Sequence, residues 1–160
     1  MRFERRPYQK PITAHIINHP RCNVFATMGS GKTGATMWAL NKMFQTGILD
    51  DWDQENWCGD RVLVLAPLRV ASGTWPAEQV KWQFPALRVV DGTGSRQYRE
   101  DVMLNDDANV VCCNYDILEW LDEILPENGC AVVKDDCVYL RCKASKVEEK
   151  TEKPWYKRLS

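Results

Sequence analysis

Asn23-Val24-Phe25-Ala26-Thr27-Met28-Gly29-Ser30-Gly31-Lys32-Thr33-Gly34-Ala35-Thr36-Met37 is the stretch whose reading decides the fold. An apolar run, Val24-Phe25-Ala26, leads into a turn holding Gly29 and Gly31. Lys32-Thr33 then opens a segment with Met37, Leu40 and Phe44 on one helical face. The pattern is strand, glycine turn, helix. A turn of this kind can wrap its backbone N–H groups around a polyphosphate only where no Cβ blocks the approach, which is what the glycines provide. Thr27, Met28, Gly29, Ser30 and Gly31 would form the cradle, Lys32 would reach the β- and γ-phosphates, and Thr33 would ligate Mg²⁺. A polyphosphate and Mg²⁺ are the ligands this spacing implies.

Further along, Val62-Leu63-Val64-Leu65-Ala66 is a near-continuous apolar run, the pattern of a strand buried on both faces of a parallel sheet, and Pro67 ends it. Leu87-Arg88-Val89-Val90, Ala108 to Cys113 and Cys130 to Val133 read as further strands. Arg96 to Leu104 reads as a helix, and Asn114-Tyr115-Asp116 starts another that carries Ile117, Leu118, Leu121 and Ile124. This alternation predicts an α/β fold, a doubly wound and mainly parallel sheet with helices on both faces. Its ligands belong at the carboxyl ends of the strands. The glycine turn, the Pro67 turn, the Gly92 to Gly94 loop and the Asn114-Tyr115 turn all fall at that edge.

The chain has 160 residues, enough for one domain with a substantial core and too few for a two-domain motor. Its formal net charge of −1 gives no global nucleic-acid signature, so any basic footprint must be local. Arg2, Arg5, Arg6 and Lys10 crowd one end, and Lys143, Lys146, Lys150, Lys153, Lys157 and Arg158 the other. No long apolar span or secretory signal occurs, so a cytoplasmic protein without membrane contact is expected. The seven cysteines include no C-x-x-C pair and read as reduced, structural thiols. His15 and His19 stand at i, i+4 on an expected helix that ends near His19-Pro20. That spacing can chelate a metal, but no third ligand is apparent, and two ordinary helix histidines is the better reading. Gln45 to Asp60, with five acids and Trp52 and Trp57, is expected to be an exposed loop.

The A-x-x-G-x-G-K-T form of the turn, Ala26 to Thr33, resembles the first motif of superfamily-two helicases and translocases. Arg6-Pro7-Tyr8-Gln9 ahead of it resembles the opening of Swi/Snf-like translocases, where a glutamine reads the adenine ring; the resemblance makes Gln9 that contact. Ala66-Pro67-Leu68-Arg69-Val70, followed by Thr74-Trp75, Glu78 and Trp82, is similar to the second motif as phage and bacterial members carry it. In that family the turn touches phosphates of the tracking strand, which implies nucleic-acid contacts for Pro67, Leu68 and Arg69. Thr93 and Gly94 offer a DNA-facing loop or a connector. Tyr115, with Asn114, stands either near nucleic acid or packed in the core.

An ATPase of this kind also needs a carboxylate to hold Mg²⁺ and an acid to orient water. By the same resemblance Asp135 is the magnesium partner and Asp136 stands where the general base belongs. The family has Glu at that second place, so the acid here is one methylene shorter. That departure weakens the case for hydrolysis more than the case for binding.

The resemblance covers residues 3 to 136 and implies ATP as the nucleotide and a RecA-like, P-loop ATP-binding domain, the N-terminal half of a DNA helicase or translocase. The implied partners are double-stranded DNA and a second RecA-like domain or partner chain supplying an arginine finger. Residues 137–160 are rich in Lys and Glu and are expected to form an exposed helix or loose tail, from truncation or a changed reading frame. The alternatives are a non-catalytic nucleotide- or DNA-binding fragment that complements or regulates a partner motor and, more weakly, a small P-loop kinase.

Overall fold

The computed structural model describes residues 1–19, 21–53, 59–120, 130–134 and 137–139. The elements run α1 (Gln9–Asn18), β1 (Arg21–Asn23), α2 (Lys32–Gln45), β2 (Arg61–Ala66), α3 (Trp75–Trp82), β3 (Val89–Asp91), α4 (Arg96–Asn105), β4 (Val110–Asn114), β5 (Cys130–Lys134) and β6 (Cys137–Tyr139). They form a mixed α/β fold on one six-stranded sheet of order β1-β6-β5-β2-β4-β3. β2 pairs in parallel with β4 and β5, and β3 pairs in parallel with β4, while β6 pairs antiparallel with both β5 and β1.

β2 is buried along its whole length, and its side chains alternate between two cores as a pleated strand requires. Val62, Val64 and Ala66 join Ile16, Met37, Leu40 and Trp75 on the face covered by α1, α2 and α3. Leu63 and Leu65 join Val102, Met103, Ile117 and Trp120 on the opposite face, under α4 and the turn Tyr115–Ile117. Helices therefore cover both faces, as the sequence pattern predicts.

Three expectations need correction. The apolar run Val24-Phe25-Ala26 is not the first strand, which lies just before it at Arg21–Asn23. Among the described residues the β1–β6 register covers Arg21 to Asn23, and Phe25 is 89% exposed. Cys137–Tyr139, expected in the tail, instead belongs to the sheet. The segment after α2 is not wholly an exposed loop, because Leu49 and Asp60 are buried. Asp50 N–H donates to the Asp60 carboxylate (2.8 Å) and Asp60 N–H returns to the Asp50 carbonyl (2.9 Å), closing the loop at its base. Trp52 is held to the body, with the Arg61 guanidinium 4.7 Å from its ring centroid; Trp57 lies outside the described residues.

Between β2 and α3 the helical path widens over Val70–Thr74, where Trp75 N–H bonds the Val70 carbonyl five residues back. Pro76 is the physical reason, since it has no N–H to continue an i→i−4 ladder, and the wider turn accommodates it. On the α4 side Arg61 is buried, and its guanidinium donates to the carbonyls of Val102 (3.2 Å), Met103 (2.6 Å), Asp106 (2.9 Å) and Ala108 (2.8 Å). It thereby caps the carboxyl end of α4 and ties it to β2. Arg61→Met should lower unfolding free energy by on the order of 3 kcal/mol, because buried carbonyls lose a charged donor. Arg61→Lys should recover part of that. Urea denaturation of the two variants measures both.

Candidate functional site

The parallel registers Ala66↔Asn114, Asp91↔Cys112 and Leu65↔Lys134 bring the carboxyl ends of β2, β3, β4 and β5 to one edge of the sheet. β1 runs in the same direction as β5, being antiparallel to β6 as β5 is. The glycine turn, the Pro67 turn, the Gly92 to Gly94 loop and the Asn114-Tyr115 turn therefore open on that edge. Asp135 and Asp136, the expected magnesium partner and base, lie outside the described residues, directly after β5.

The glycine turn has the backbone a phosphate cradle needs. Gly29 (φ +75°) and Gly31 (φ +73°) both occupy the left-handed region, which side chains resist. Gly31 is the N-cap of α2, and with no side chain it cannot cap the helix; the first turn also holds no acidic residue. The first amides of a 14-residue helix thus face the turn with no carboxylate or hydroxyl of the N-cap against them, an arrangement that favours an anion. Lys32 and Thr33, half-buried, stand in that first turn, and the Lys32 ammonium donates to the Ala26 carbonyl (2.9 Å), folding back across the loop. Thr27, Met28 and Gly29 are exposed at the tip, and Met28 is 97% exposed.

Gln9 joins this loop although it lies on a separate helix. Its buried side-chain amide donates to the carbonyls of Ser30 (3.3 Å) and Gly31 (3.2 Å) and accepts from Arg6 N–H (2.9 Å). Those bonds hold it on the loop backbone. A neighbour that sequence reasoning missed is Phe3, whose ring fills the space beside Gly34, where a Cβ would come within 2.7 Å of it. The available signal was Gly34 itself, a glycine inside a helix that phosphate binding does not require.

Pro67, Leu68 and Arg69 are exposed at the same edge, and so is Gly94. Thr93, in contrast, is buried, and both its N–H (2.8 Å) and its hydroxyl (2.6 Å) donate to the Asp91 carboxylate. Its polar groups hold the turn together rather than face outward. Asn114 and Tyr115 are half-buried, and Tyr115 packs against the core beneath α4, as one of the two alternatives for it holds. His15 and His19 stack at 4.4 Å between ring centroids. Among the described residues no group of three or more His, Cys, Asp or Glu is placed to hold a metal ion. Nor is any helix among them long and apolar enough to cross a membrane.

No family model matches the chain. It is similar to a protein designated p41 from Acyrthosiphon pisum secondary endosymbiont phage 1, at 41% identity over 124 residues, or 77% of this chain. The chain spans 25% of the length of that phage protein.

The two left-handed glycines make separable demands. Gly29→Ala meets open space and only a backbone cost, about 1–2 kcal/mol. Gly31→Ala adds a Cβ 2.6 Å from the Gln9 amide nitrogen and should destabilise more, with loss of the Gln9 contacts. Thermal denaturation of the two variants, with Gln9→Ala as reference, checks the order.

Proposed function

We propose that this chain is the ATP-binding, RecA-like portion of a superfamily-two, Swi/Snf-like DNA helicase or translocase. One observation carries the reading: two left-handed glycines deliver an uncapped, acid-free helix N-terminus with Lys32 and Thr33 in its first turn. In this reading the loop amides and Lys32 hold the β- and γ-phosphates, Thr33 and Asp135 hold Mg²⁺, and Asp136 orients the attacking water. Gln9 contacts adenine once its amide exchanges the Ser30 or Gly31 carbonyl for the base. Pro67, Leu68, Arg69, Gly94 and Asn114, along the same edge, meet DNA phosphates. A second RecA-like domain, in the same longer polypeptide or in a partner chain, supplies the arginine finger, worth roughly 10³-fold or more in rate.

The aspartate at Asp136, where the family has glutamate, favours a second reading: a domain that binds nucleotide without turning it over and regulates or complements a partner motor. Both readings require the phosphate loop. Only the first requires DNA-stimulated hydrolysis once the partner half is present.

Calorimetric titration with Mg·ATP tests the loop. Lys32→Ala should weaken binding about 30-fold, the equivalent of one charge-assisted hydrogen bond of about 2 kcal/mol. Equal affinity of wild type and variant would remove the phosphate-loop assignment.

A further inference from the structure

A second region with binding chemistry lies where the N-terminal segment crosses α2 and the end of α3. A cavity of about 380 Å³ opens there, walled by Trp38, Trp82 and Phe84 and rimmed by Arg2 and Lys42, with no Asp or Glu in its lining. Two more cations stand beside the same aromatics. The Arg5 guanidinium lies 3.5 Å from the Trp38 ring centroid and the Lys81 ammonium 4.5 Å from that of Trp82, while Lys42 is 5.6 Å from Trp38 on its own side. Glu78 accepts from Trp82 Nε1 beside the cavity, and Glu4 is exposed in the crossing segment. In a chain of net charge −1, four cations around two tryptophans is a local concentration of positive charge.

The aromatic wall and Arg5 are fixed in place, while Arg2 and Lys81 stand exposed at the rim. Phe3 packs edge-on to Trp82 (5.1 Å) and against Phe84 (5.5 Å), and Arg5 also donates to the Thr13 hydroxyl (2.7 Å). The crossing segment is thereby pinned, with Arg5 held over Trp38 and Arg2 exposed at the cavity rim. Cations fixed beside flat apolar surfaces match a ligand that alternates phosphate with aromatic base. A bare anion would use the charges but not the ring surface of Trp38, Trp82 and Phe84 that the cavity leaves open.

We propose that this cup binds single-stranded nucleic acid, its phosphodiester groups on Arg2, Lys42 and Lys81 and a base against Trp38 or Trp82. The site is built from the crossing segment, α2 and the end of α3, and shares no lining residue with the phosphate loop, so the inference does not depend on the nucleotide reading.

The test is fluorescence anisotropy of a labelled oligothymidylate with the full chain carrying Arg69→Glu, which removes the phosphate contact proposed at the Pro67 turn. Arg2→Glu/Lys81→Glu, two exposed positions, should weaken binding about tenfold or more and flatten its dependence on salt, because two phosphate contacts are lost. Trp38→Phe should weaken it without changing the salt slope. Lys32→Ala should leave it intact, and the charge reversals should leave Mg·ATP binding intact, which separates this site from the phosphate loop. Circular dichroism melting verifies that the variants fold, and Lys42→Gln gives a milder second probe if a reversal does not. No binding by the Arg69→Glu chain, unchanged affinity in the charge variants, or equal binding to phosphatidylserine vesicles would each overturn the proposal.

Discussion

The parallel pairing of β2 with β4 on one edge and β5 on the other leaves this strand no exposed side, and most of the architecture follows. Its amides and carbonyls are satisfied laterally, and its two rows of aliphatic side chains need cover above and below. α1, α2 and α3 supply one layer, and α4 with the turn after β4 supplies the other. Parallel neighbours cannot be joined by tight hairpins, so the chain must cross over between them, and every crossover begins at the same sheet edge. The gathering of the Pro67, Gly92 to Gly94 and Asn114 turns is thus a product of strand direction. No attraction between those loops is needed to explain it.

Much of this was legible because the physical signals are local. A run such as Val62 to Ala66 has few solutions other than a doubly buried strand, and glycines spaced around a Lys-Thr pair mark a turn into a helix. Less was legible where the outcome depended on a distant partner. Val24-Phe25-Ala26 has the composition of a strand, but whether residues pair is decided by the neighbouring strand, and the described β1–β6 register covers Arg21 to Asn23 instead. The same holds for Cys137–Tyr139, whose place in the sheet comes from two neighbours rather than from its own pattern. Thr93 shows the limit for site residues. Its type suits a ligand contact, but Asp91, two residues back, takes both of its donors.

The glycine turn is held in one conformation by contacts within the chain. Left-handed backbone at Gly29 and Gly31 would be costly for other residues, and here it is braced by Gln9 against the loop carbonyls. Lys32 on the Ala26 carbonyl keeps an ammonium partnered within the loop, and a polyphosphate would offer that ammonium a stronger acceptor. On the proposed reading, little backbone rearrangement would be required on binding, which would limit the entropy lost.

Three glycines fall within Gly29 to Gly34, and they answer to different constraints. Gly29 and Gly31 are set by dihedral angle. Gly34 has no positive φ and is set by space, because Phe3 rests where its side chain would be. The segment that delivers Phe3 also delivers Arg5 to Trp38 and leads into Gln9, so α2 is held from both sides. Its Met37, Leu40 and Phe44 face the sheet, and the crossing segment lies over its outer surface. Only the dihedral constraint can be read from spacing alone, since a phosphate turn has a fixed length. The steric one is set by a contact between residues 31 positions apart, and it appears only when the chain has folded around α2.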